Sequence, residues 1–105
     1  MKTIQLRQGD VLLEVVDAIP SGAKAVPPQN GKHVLAEGEA TGHAHTVEAE
    51  HGTLYEKDGV LYLKLEAEAP MRHQEHAPIT IPAGIVRKAP QMEWSDALEP
   101  RQVLD

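Results

Sequence analysis

"TLYEKDGVLYLKLEA", residues 53–67, decides the fold class. Asp58-Gly59 stands between two runs that alternate apolar and polar residues, the strongest short-range signature of a β-hairpin. A side-chain period of two places Leu61, Leu63 and Leu65 on one face and Tyr62, Lys64 and Glu66 on the other. The stretch therefore predicts a hairpin turning at Asp58-Gly59, with a buried leucine stripe.

The same grammar runs outward from it. "DVLLEVV" (10–16) puts Val11, Leu13 and Val15 on one face of a strand. "IPSGAKAVPPQNGK" (19–32) carries three prolines and Asn30-Gly31, and reads as a loop with a tight turn. In "HVLAEGEATGHAHTVE" (33–48), Gly38 and Gly42 suggest bends in a long strand pair. "APITIPAGIVRKA" (77–89) reads as strand, Pro82-Ala83-Gly84 turn, strand. The end, "SDALEPRQVLD", is a short C-terminal tail with room for one helical turn from Ser95 or Asp96, stopped before Pro100. No stretch shows a sustained helical period. The expectation is all-β: one domain spanning residues 1–105, built as a small antiparallel β-sandwich or barrel.

Composition narrows the function. With no Phe, one Trp and two Tyr in 105 residues, the core must be aliphatic and thin. Small chains cover such cores poorly alone, so a homo-oligomer of two or three chains is expected. Sixteen acidic against ten basic residues give a net charge of −6, and no Lys/Arg cluster offers a phosphate-binding face, so nucleic acid is rejected as a partner. The absence of cysteine excludes disulfides, thiolate nucleophiles and cysteine-type zinc sites. No run approaches the ~20 apolar residues that span a bilayer, and the start lacks a signal-peptide pattern. No membrane partner and a cytoplasmic location are therefore expected.

The chemistry concentrates in "EGEATGHAHTVEAEH" (37–51), which holds three of the six histidines. On a strand, His43 and His45 project from one face, roughly 6–7 Å apart. Two imidazoles so placed can converge on one ion, and imidazole suits divalent transition metals. Glu48 falls on the opposite face unless a bend intervenes, and His51 lies past the strand end. A second group, His73, Glu75 and His76, sits in "RHQEHAPI" between Pro70 and Pro78. Its spacing of three fits neither a strand nor the helical His pair of zincins, so it reads as a loop that can aim both rings inward. The bland alternative is that these are solvated polar residues, with the carboxylates Glu37, Glu39, Glu48 and Glu50 as an exposed face.

At "GEATGHAHTVE" the chain resembles the first cupin motif, in which a glycine, a His-x-His pair and a following glutamate serve metal binding. Gly38, His43, His45 and Glu48 stand in that order. The gaps around the pair are shorter than the family's, and "PAG" (82–84) follows His73 and His76 where the second cupin motif places it before its histidine. As a whole the chain is also similar to small uncharacterised bacterial and phage-borne proteins, which implies no activity.

Two readings follow. One is a histidine-rich β protein holding a divalent transition metal (Zn, Ni, Fe or Mn) through His43, His45, His73, His76 and Glu48, with Glu75 as an alternative carboxylate, and able to serve as a small metalloenzyme. The other is a non-enzymatic, oligomeric β module for assembly or partner docking. The sharpest expectation is that the two histidine groups meet: strand 41–48 leads into the 53–67 hairpin, and the chain after Glu66 can return beside it.

Overall fold

Asp58 and Gly59 both take positive φ, 52° and 81°, the backbone of a two-residue type I′ turn whose twist matches the strands it joins. Asn30 and Gly31 repeat it, at 52° and 76°, with Gln29 and Lys32 exchanging both backbone hydrogen bonds across the turn. Sequence dictates both turns, since Asn, Asp and Gly tolerate left-handed backbone best.

The structure, a computed structural model, describes residues 4–9, 11–37, 43–89, 92–94 and 100–102. The strands in chain order are β1 (Gln5–Gln8), β2 (Val11–Val16), β3 (Lys24–Val26), β4 (Lys32–Glu37), β5 (Ala44–Glu48), β6 (Gly52–Lys57), β7 (Val60–Leu65), β8 (Ala69–Met71), β9 (Ile79–Ile81), β10 (Gly84–Lys88), β11 (Met92–Trp94) and β12 (Pro100–Gln102). A single 3₁₀ turn, Ala49–His51, is the helical element among the described residues. None of their helices is long and apolar enough to cross a membrane.

All pairings are antiparallel. The main sheet runs β1-β2-β10-β7-β6-β3. In the β6/β7 hairpin Leu54 faces Leu63 and Tyr55 faces Tyr62. Leu63 and Leu65 are buried, and Leu61 is partly buried against the core. The second layer is made of two pairs, β4/β5 and β8/β9, joined where Thr46 and Arg72 exchange backbone hydrogen bonds. Among the described residues the sheets do not close on themselves, so the layers stack as a sandwich rather than a barrel. Between them lies one aliphatic cluster, in which Leu13, Leu63 and Val86 of the main sheet meet Val47, Met71 and Ile81 of the second layer.

The 19–32 stretch is more than a loop: its Lys24–Val26 segment pairs with β6 as the edge of the main sheet. The Pro82-Ala83-Gly84 turn is a corner and not a hairpin. The strand before it pairs with β8, and the strand after it sits between β2 and β7. The expected helical turn at Ser95 or Asp96 and the bends at Gly38 and Gly42 lie outside the described residues. Pro100, expected to follow a helix end, opens β12, which pairs with β11.

Candidate functional site: a four-histidine cluster

In β5, burial alternates, with His45 and Val47 buried and Thr46 between them half-buried. Thr46 is where Arg72 attaches, so the chain leaving Arg72 passes beside residues 43–45. Gln74 tightens the join by accepting a hydrogen bond from the Ala44 amide at 2.8 Å. Residues 73–76 form no strand, as their spacing predicts.

The two histidine groups consequently meet ring to ring. His73 is the hub, with its ring centre 4.3 Å from that of His45, 4.6 Å from His76 and 5.6 Å from His43. His45 and His76 stack at 6.0 Å with their planes 14° apart. His43 Nδ1 lies 2.6 Å from Glu75 Oε1. The cluster is graded in depth: His45 is 5% exposed, whereas the His43 and Glu75 side chains are 31% and 63% exposed. One wall is therefore fixed by the core, and the other can be reached from solvent.

Two groups that the sequence did not mark support the rings. Gln8, at the end of β1, is 2% exposed. Its amide nitrogen donates to Met71 O at 2.8 Å and to Ala77 O at 2.9 Å, and its oxygen lies 2.8 Å from His45 Nδ1. Gly9 follows in left-handed backbone, φ 59°, and a Cβ there would overlap the His76 ring. His73 Nδ1 accepts from the backbone N–H groups of Glu75 at 3.0 Å and His76 at 3.3 Å, which curls the loop around that ring.

The other candidates lie elsewhere. Glu48 is exposed at the end of β5, on the face opposite His45, and groups with Glu50 and His51. His51 Nε2 is 3.7 Å from the Glu48 carboxylate. The bend that would have turned Glu48 toward His45 does not occur, because β5 keeps its period of two through Val47. The carboxylate beside the histidines is Glu75. His33 is buried in β4, its Nε2 donating to Gly52 O at 2.9 Å.

Imidazoles bound at ~2 Å to one tetrahedral ion have ring centres about 5 Å apart. The observed 4.3–6.0 Å brackets that value. Four imidazoles and a carboxylate are also a donor set suited to Zn, Ni or Fe. The residues thus offer metal donors in number and type; the group whose donor atoms all lie within 4.8 Å of one another among the described residues is instead Glu48, Glu50 and His51, at the end of β5.

A family model described as a domain of unknown function (DUF8820) matches residues 7–91. The chain belongs to this family. The match takes in both histidine groups, Gln8 and Gly9. No curated protein and no solved structure matches the chain.

Proposed function

We propose that the protein binds a divalent transition metal ion through His43, His45, His73 and His76, with Glu75 at the rim. The observation that carries this reading is the meeting of four imidazole rings, drawn from segments 30 residues apart, in which His73 has its centre 4.3–5.6 Å from those of His45, His76 and His43. Both His43 and His45 have Nδ1 held by an oxygen, Glu75 and Gln8 respectively, the arrangement that orients histidine ligands in metal proteins. Three histidines on the ion would leave a position for water, as catalytic sites do, and four would close it as a structural centre. With Glu75 as carboxylate, two histidines would make the oxygen-binding type of site found in non-haem iron enzymes.

The test is metal analysis of protein purified without a histidine tag, with thermal melting of metal-free protein in added Zn²⁺, Ni²⁺ or Co²⁺. Binding raises the melting temperature by mass action. The shift should shrink below about pH 6, where imidazoles protonate. Loss of the shift in His43→Ala and in the His73→Ala/His76→Ala double variant supports the reading; the same shift as in the parent sinks it.

A second reading is a cytoplasmic β module that self-associates. It is favoured by the ends of the main sheet at β1 and β3, which pair with no further strand among the described residues, and by Ile4, 62% exposed beside β1, since unpaired strand edges pair readily with other chains. Sedimentation at micromolar concentration should give a dimer or trimer; a monomer mass alone would overturn it.

A further inference from the structure

An imidazole nitrogen either carries a hydrogen or offers a lone pair, never both. His73 Nδ1 lies 3.0 Å from the backbone nitrogen of Glu75 and 3.3 Å from that of His76. Both are N–H donors, so Nδ1 is the acceptor and keeps its lone pair there. A hydrogen on Nδ1 would face two amide hydrogens. The ring's own hydrogen is therefore on Nε2, whatever that nitrogen touches. In His43 and His45 the polarity is reversed: an oxygen stands opposite Nδ1, from Glu75 at 2.6 Å and from Gln8 at 2.8 Å. An oxygen there suits a ligand, since metal-bound histidines give the hydrogen of their other nitrogen to an oxygen. Backbone N–H groups there do not.

From this geometry we infer that His73 is a positioning residue and not a ligand: it is held in the Nε2–H tautomer and folds the loop that brings its neighbours to the cluster. The two amides it captures belong to Glu75, whose carboxylate meets His43, and to His76, whose ring stacks with that of His45. A side chain accepting from amides just ahead of it in the chain is how Asn and Asp cap turns. The lone pair that a neutral imidazole would give to an ion is spent here on the fold of the loop. The loss of His73 from the proposed ligand set refines the metal-binding reading and rests on it; the tautomer and the cap do not.

The experiment is ¹⁵N–¹H correlation of the imidazole nitrogens in metal-free protein at about pH 8, above the ordinary imidazole range, alongside Zn²⁺ titration. In the wild type, His73 Nε2 is expected to be protonated and Nδ1 not. His73→Asn keeps an acceptor for the two amides without an imidazole, and His73→Ala keeps neither. Zn²⁺ affinity should stay within about threefold of the wild type in His73→Asn and fall roughly 10–100-fold in His73→Ala, the usual cost of removing a group that orients ligands. A wild-type His73 protonated on Nδ1 overturns the inference. So does a His73→Asn protein that binds Zn²⁺ as weakly as His73→Ala, or a His73→Ala protein that binds it as tightly as the wild type. If His73→Asn does not fold, the wild-type spectrum alone decides. An Nε2–H tautomer in a protein that binds no Zn²⁺ upholds the cap and removes the metal reading instead.

Discussion

Thr46 and Arg72 each donate a backbone N–H to the other's carbonyl, at 2.9 and 2.8 Å. This bridge joins the β4/β5 pair to the β8/β9 pair and sets the His73–His76 loop beside His43 and His45. Arg72 itself is exposed, so its side chain is dispensable while its amide is not. Arg72→Ala should change stability by less than ~0.5 kcal/mol. Arg72→Pro removes the donor and strands the Thr46 carbonyl, costing about 1–3 kcal/mol in urea unfolding. It should also reduce the metal-induced melting shift. Equal stability of the two variants would show that the bridge does not hold the layers together.

Gly9 and Gly59 provide a matched comparison. Both have positive φ, but a Cβ at Gly59 meets open space, whereas one at Gly9 overlaps the His76 ring. Each alanine variant should lose about 1–2 kcal/mol from left-handed backbone strain. If the proposed metal reading holds, Gly9→Ala alone should also weaken metal binding, because His76 must move. A calorimetric titration that finds both variants binding Zn²⁺ equally would place His76 outside the ligand set.

Glu14 of β2 and Arg87 of β10 form an ion pair between neighbouring strands. The hydrogen bond from Arg87 holds the Glu14 carboxyl below its ordinary value, 4.5, while burial acts in the opposite sense and Gln5 adds a smaller lowering. A depressed carboxyl pKa means stability present above the unfolded value and lost as pH falls through the folded one. Arg87 is 39% exposed, so the pair should contribute about 0.5–1 kcal/mol. Arg87→Met should therefore unfold at lower urea than the parent above pH 5, and the gap should close as pH falls below 4.5. A gap unchanged at pH 3 would mean that packing, not charge, is what Arg87 supplies.

Leu63 is 1% exposed and Leu61 only partly buried. Leu63→Ala should cost 2–5 kcal/mol, the range for emptying a closed aliphatic core. Leu61→Ala should cost less than half as much, since solvent already reaches it. Equal losses in chemical denaturation would place Leu61 deeper than its strand position implies.

Much of this was legible in the chain. Asp58-Gly59 and Asn30-Gly31 announced their turns, and Val11, Leu13, Leu63 and Leu65 announced the buried face, because backbone preference and period two are local properties. The loop character of residues 73–76 was legible for the same reason, whereas His43, expected on the strand with His45, stands one residue before β5. Lys24–Val26 was not, since prolines on either side of a three-residue strand hide its alternation. Glu48 was placed with the histidines on motif order, and the unbroken period of β5 keeps it away. Gln8 and Gly9 carried no signal: a glutamine before a glycine is ordinary turn chemistry.

By itself, the sequence determined which residues alternate, where the chain reverses and which side chains bear imidazole or carboxylate. Tertiary structure decided which of them meet. Gln8 reaches Met71 and Ala77 across 63 and 69 positions, and His45 across 37. Such contacts form only when separate strand pairs are stacked on a common core and joined at Thr46 and Arg72. Hydrogen bonds are short and directional, so the placing of Glu75 beside His43, and of Gln8 beside His45, follows from layer packing that no local pattern encodes.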